Sequence, residues 1–132
     1  MIVPATRYRD PEAALAFLKA AFGLTEHAVY RDEAGVIVHA QLRAGQGMVM
    51  FGPSQGGAFD ELMVAPDEVG GRETTTIYVV VPDVRAVLAR AEAAEARILV
   101  PLEPQGHGGE SFTAADPEGH VWTFGDYDPF AG

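Results

Sequence analysis

Apolar residues recur at helical spacing over residues 11–22, where Ala14, Leu15, Leu18 and Phe22 share one face and Phe17 and Ala21 widen it. Asp10 stands before this run as an N-cap, Pro11 suits its first turn, Glu12 adds a favourable charge there, and Gly23 stops it. The flanking segments are strand-like instead. Residues 2–9 precede the helix, and 26–31, 35–42 and 48–51 follow it, separated by polar and glycine-containing breaks at 32–34 and 43–47. The predicted order is βαβββ.

The second half repeats it. Residues 75–81 are rich in β-branched side chains and end at Pro82; Asp83 then caps a helix carrying Val84, Val87, Leu88 and Ala91. Strands are predicted at 98–102, 111–115 and 121–124, the last two joined by Asp116-Pro117-Glu118-Gly119, a sequence suited to a β-turn. An offset of 73 residues relates Asp10 to Asp83, Leu15 to Leu88, Gly35 to Gly108, Phe51 to Phe124 and Gly52 to Gly125. The chain thus reads as one α+β domain over residues 1–132, made of a module at 1–52, a linker at 53–73 and a second module at 74–132. Gly, Pro and acidic residues suit that linker to the surface, while Phe59, Leu62, Met63 and Val64 predict that part of it folds back on the body.

Composition narrows the function. Nine Lys and Arg against nineteen Asp and Glu leave a net charge of −10, which disfavours nucleic acid and anionic membrane as partners. A small neutral, aromatic or cationic molecule suits that charge better. The absence of cysteine excludes disulfides, thiolate catalysis and Cys-based zinc sites. No apolar run reaches the roughly 20 residues of a membrane span, and the N-terminus lacks a signal pattern, so a cytoplasmic location is the expectation.

Paired βαβββ modules, Arg7-Tyr8-Arg9-Asp10 entering the first helix, Ala20-Ala21-Phe22-Gly23 leaving it, and the closing Asp116–Phe124 stretch together resemble the vicinal oxygen chelate superfamily. This is the glyoxalase, bleomycin-resistance and extradiol-dioxygenase group. His39-Ala40-Gln41-Leu42 and Gly47-Met48-Val49-Met50 are similar to its uncharacterised glyoxalase-like branch. The resemblance implies curved mixed sheets around an open cup, helices outside, and frequent homodimers whose cups are completed across the interface. It also implies a divalent ion held by four positions, which fall here on Val3, Met50, Thr76 and Thr123. None is a usual ligand for a hard or borderline cation, so no metal or other cofactor is expected.

Strand alternation extended from those positions places Val3, Ala5, Arg7, Met48 and Met50 in the cup, with Thr76, Tyr78, Val80, Val121 and Thr123 from the second module. Val49, Phe51, Trp122 and Phe124 then face the helices. In residues 36–42, Val36, Val38, Ala40 and Leu42 alternate against Ile37, His39 and Gln41, which predicts that His39 and Gln41 point into the cup; the 73-residue offset adds Phe112. The expected ligand-binding set is therefore Arg7, His39, Gln41, Met48, Met50, Thr76, Tyr78, Phe112 and Thr123. Arg7 needs a carboxylate or an anionic ligand if buried. His39 reads either as a satisfied structural histidine or as a polar contact or general base. Of the other histidines, His27 and His107 are expected at the surface or in a loop and His120 half exposed.

These features favour a metal-free protein that binds and sequesters a small molecule. Alternatives are a metal-independent lyase or isomerase using His39 and Arg7, and a metal-dependent glyoxalase- or dioxygenase-type enzyme needing ligands elsewhere.

Overall fold

A computed structural model describes residues 1–131. Its elements run β1 (Ala5–Arg7), α1 (Pro11–Phe22), β2 (Thr25–Arg31), β3 (Ile37–Ala44) and β4 (Gly47–Gly52), then β5 (Ile77–Val80), α2 (Val84–Ala93), β6 (Arg97–Pro104), β7 (Glu110–Ala115) and β8 (Val121–Gly125). Each half forms a four-stranded mixed sheet, in the orders β1-β4-β3-β2 and β5-β8-β7-β6, with only the first strand of each half pairing parallel. This is the α+β, paired βαβββ architecture that the hydrophobic pattern predicts.

The helix ends follow their sequence signals. The Asp10 carboxylate accepts from the Ala13 N–H at 3.0 Å, and Asp83 does the same for Ala86 at 3.1 Å. Gly23 ends α1 in the left-handed conformation, φ 70°, with its N–H donating to the Leu18 carbonyl. Each helix lies on one face of its sheet, and the two helices also touch. Phe22 of α1 packs on Trp122 and Phe124 of β8, with ring centroids 5.6 and 4.7 Å apart, so one core joins the two halves. Val49, Phe51, Trp122 and Phe124 all lie in that core, as predicted.

Two registers depart from the sequence reading. In β3 an irregularity next to Val38 lets Ile37 pair with Arg31 while His39 pairs with Tyr30. Ile37 therefore enters the core and Val36 is exposed, although Ala40 and Leu42 keep their predicted inward orientation. In the second half the repeat offset shortens. Ala40 stands opposite Phe51 in the first sheet, so a constant offset of 73 would put Thr113 opposite Phe124. Instead Phe112 pairs with Phe124 and Thr113 with Thr123. The cause is the turn: β3 and β4 are joined across residues 45–46, whereas β7 and β8 are joined by 116–120, which sets its own register. A one-residue slip exchanges the faces of a strand. Phe112 thus lies fully buried in the core, stacked on Phe124 at 5.5 Å, and the expectation that it lines the cup is corrected.

The segment between the halves forms two short 3-10 turns, Ala58–Leu62 and Pro66–Val69. It is strapped to the body by Arg7–Asp60, Arg9–Asp67 and Arg9–Glu68 ion pairs and by Glu73, with Pro66 buried.

Candidate functional site

The sheet faces turned away from the helices carry most of the predicted site. In the first sheet Ala5, Met50 and Gln41 stand in register across β1, β4 and β3, with Arg7 beside Gly52. Met48, Met50, His39, Gln41 and Arg7 are all half-buried. The Gln41 amide donates to His39 Nε2 at 3.1 Å, and the Tyr30 ring lies 5.9 Å from that imidazole. In the second sheet Tyr78 stands beside Thr123, and the Thr113 and Thr123 hydroxyls bond at 2.7 Å. Thr113 is thus the residue that occupies the place expected of Phe112. Tyr78 is 41% exposed and its hydroxyl donates to the Tyr127 carbonyl at 2.9 Å. Thr76 precedes β5 and is exposed.

Among the described residues, no hydrogen bond, ion pair or ring contact links the face around His39 to the face around Tyr78. The halves meet through their helices and buried sheet faces, which leaves both candidate lining surfaces partly open. The first has Met50 at its centre with amide and imidazole groups beside it, and the second has the Thr113–Thr123 hydroxyl pair at its centre beside the Tyr78 ring, a mixture of apolar and orienting polar groups that a small-molecule site uses. Arg7 and His39 share a sheet face, but the Arg7 guanidinium is turned to Asp60 and the two make no pair.

The four positions at which the resemblance implies a metal do not suit one. Val3 is aliphatic, Met50 offers a thioether, Thr76 stands outside β5, and the Thr123 hydroxyl is bonded to Thr113. A divalent cation needs carboxylate or imidazole donors here. No group of three His, Asp or Glu among the described residues is arranged to hold an ion.

A cleft of about 510 Å³ lies elsewhere, between the end of β1, the β7–β8 turn and the strap. Arg7 is the one predicted site residue in it; Arg9, Asp60, Met63, Val64 and His120 also line it. Asp60 takes three donors at once: the Arg7 guanidinium, the Ser54 hydroxyl and the Gly56 N–H. The Ser54 and Arg7 bonds hold its carboxyl below the usual carboxylate range. Phe59 sits against Arg7, with the guanidinium carbon 5.5 Å from the ring centroid. The sequence signals for this cleft are Arg7 as a residue in need of an acid, the acidic residues of the strap, and the apolar Met63 and Val64 within it; alternation within strands cannot report a partner 53 positions away.

Behind the cleft lies a buried polar cluster. Asp116, 4% exposed, accepts from the Tyr8 hydroxyl at 2.6 Å, Trp122 Nε1 at 3.0 Å, and the backbone N–H groups of Glu118 and His120 at 3.1 and 3.0 Å. Burial, then the Asp116 charge, push the Tyr8 phenol far up, so it stays a donor. His120 is 6% exposed, which corrects the expectation of a half-exposed residue. Its Nδ1 faces Glu73 at 2.7 Å and its Nε2 faces the Arg7 carbonyl at 2.9 Å. Both partners are acceptors, so both ring nitrogens donate and the imidazolium form is favoured.

Burial alone would lower the His120 pKa, but the Arg7 carbonyl, the Glu73 carboxylate and the Asp116 charge together raise it. A raised folded-state value contributes stability that is complete below about 6.5, the unfolded histidine value, and is lost as pH rises through the folded value. Thermal unfolding of the protein is therefore expected to show Tm falling with pH above about 6.5, with the fall in that window flattened in His120→Gln. An equal slope in the variant would remove His120 as its source.

The geometry agrees with comparisons to known proteins. The family model for the Glyoxalase/Bleomycin resistance protein/Dioxygenase superfamily matches residues 4–124. The chain is 32% identical over 116 residues to the uncharacterized protein Mb0911c of Mycobacterium bovis, covering 88% of this chain and 76% of that one. Among solved structures, TioX from Micromonospora sp. ML1 is 32% identical with a TM-score of 0.74, covering 95% of this chain and 94% of TioX. A bleomycin resistance determinant encoded on the transposon Tn5 shares the fold at 18% identity and a TM-score of 0.69, covering 97% and 98% of the two chains. With two βαβββ halves, helix caps and closing turn all in place, the chain belongs to the glyoxalase/bleomycin resistance protein/dioxygenase superfamily.

Proposed function

We propose that this protein binds a small, partly aromatic molecule on the open faces of its two sheets, without a metal. The observation that carries this reading is the donor set: the positions expected to grip a cation are Val3, Met50, Thr76 and Thr123, while the half-open surfaces around them mix Met48, Met50 and Tyr78 with uncharged polar groups. Met48 and Met50 supply adaptable contact area, Tyr78 a ring, and Gln41, His39 and Thr123 orienting polar groups. Composition alone also allows a cationic ligand. Neither set of lining side chains contains a carboxylate, however, and Arg7 is a positive group among them. The local chemistry therefore favours the aromatic class. A second copy of the chain completes each cup by setting one module's open face against the other's, with sizing at about twice 14.0 kDa as the expected result.

A metal-independent lyase or isomerase is a second reading, because Arg7 and His39 share a sheet face. It requires Arg7 to leave Asp60 and His39 to leave Gln41 before either can meet a substrate.

Thermal-shift screening with single- and fused-ring aromatic compounds, in the presence and absence of EDTA, tests the first reading. At least one compound is expected to raise Tm equally in both conditions, and Met50→Asp is expected to abolish the shift while the unliganded variant still unfolds cooperatively. Shifts that vanish with EDTA, or that survive Met50→Asp, would contradict it.

A further inference from the structure

The tip of the strap, residues 54–64, is held in an unusual way. Three of its apolar side chains are exposed, Phe59 at 59%, Leu62 at 74% and Val64 at 60%, and Met63 is only half-buried. Hydrophobic packing therefore contributes little to its position. The side-chain bonds from the tip to the body are the Arg7–Asp60 ion pair and a bond from the Gln55 amide to the Val38 carbonyl at 3.1 Å. Such a segment lies at the low-stability end of a fold. The second strap anchor, Arg9 with Asp67 and Glu68, and the third, Glu73 with His120, lie farther along the chain.

Arg7 itself belongs to the rigid sheet. β1 fixes it beside Gly52, on the face that carries Met50 and Gln41. Its side chain is three-quarters covered, yet its ionic partner comes from a segment whose Phe59, Leu62 and Val64 are exposed. The fixed member of the pair is thus the cation, and the movable member is the carboxylate.

We infer that Asp60 occupies on Arg7 the place of a ligand's own carboxylate, and that the strap tip is a lid whose Phe59, Leu62 and Val64 close over the apolar body of that ligand. The inference rests on the small-molecule reading above and adds to it the ligand class, an aromatic or otherwise apolar carboxylate. It accounts together for an arginine on a ligand-facing strand, a self-supplied acid on a weakly held segment, and three uncovered apolar side chains on that segment, of which Val64 lines the cleft of about 510 Å³ and Phe59 lies against Arg7. Exchange of one carboxylate for another leaves the buried charge of Arg7 compensated throughout. The exposed apolar side chains supply the gain on closure, because they leave water only when a ligand lies beneath them.

Calorimetric titration with 2-naphthoate and its uncharged analogue 2-naphthamide tests this in wild type, Asp60→Asn and Arg7→Gln. Asp60→Asn frees the guanidinium, so 2-naphthoate is expected to bind at least fivefold more tightly than to wild type while 2-naphthamide changes less than twofold. Arg7→Gln is expected to erase any preference for the acid over the amide. Hydrogen exchange supplies a readout independent of affinity: amides of residues 56–64 should exchange faster in unliganded Asp60→Asn and slow when 2-naphthoate is added. Unchanged or weaker 2-naphthoate binding in Asp60→Asn, or unaltered exchange in 56–64, would overturn the inference. If 2-naphthamide binds wild type and no charge preference emerges, the inference fails while the small-molecule reading stands; if neither compound binds any of the three proteins, both fail.

Discussion

Replacing Asp116 by alanine is expected to lower the stability of the protein by about 3–5 kcal/mol in urea unfolding. The carboxylate is buried and accepts four hydrogen bonds, so its removal strands the Tyr8 hydroxyl, the indole N–H and the His120 N–H away from water and takes the partner of the part-buried Glu118 N–H. Tyr8 lies at the end of β1, whereas Asp116 and Trp122 belong to the second half, so the bond between them spans the two modules. Asparagine does not rescue the site. Oδ1 takes the two backbone donors and Oδ2 takes Tyr8 and Trp122, so whichever oxygen becomes an amide nitrogen faces two donors. A loss below about 1 kcal/mol for both variants would mean that the cluster does not fasten the halves together.

Phe112→Ala is the second large effect, with an expected loss of about 3–5 kcal/mol from the cavity left against Phe124. The neighbouring Thr113→Ala should cost about 1 kcal/mol, the scale of one hydrogen bond, because only the Thr123 hydroxyl loses a partner. The pair distinguishes the two possible registers of β7. Were Phe112 on the open face, its removal would leave no cavity in the core and the order of the two losses would reverse.

That pair also marks where the sequence stops being informative. Helices and caps were legible because their signals are local: Asp10 and Asp83 bond to N–H groups three residues on. The first-sheet orientation of Gln41, Leu42 and Met50 followed from alternation, which a short hairpin preserves. The face of β7 did not, because the 116–120 turn resets the register and alternation counts residues without seeing turns. β1 covers Ala5–Arg7 rather than the predicted 2–9, although the Tyr8 N–H still donates to the Gly52 carbonyl at 3.1 Å. For the candidate site, Arg7 was recognisable as a residue in need of an acid, but nothing near it in sequence identifies Asp60. His120 reads as half exposed rather than buried for the same reason. Its partners, Glu73 and the Arg7 carbonyl, come from the strap and the opposite module.

The strap is where most of these long-range contacts meet. It supplies Asp60 to Arg7, Asp67 and Glu68 to Arg9, and Glu73 to His120, so an acidic segment neutralises the basic side of the first strand. Its acidity therefore has a local use besides its share of the net charge of −10. The exposed carboxylates far from these contacts add solubility rather than specificity.

Calorimetric titration of the chelator-treated protein with Zn²⁺, Ni²⁺ and Mn²⁺, followed by elemental analysis after desalting, addresses the metal-free binding surface most directly. The expected result is less than a tenth of an equivalent of any of the three ions retained per chain, with aromatic-ligand binding unchanged by their addition. Retention of one equivalent that is lost on substituting Met50 or Thr123 would contradict it.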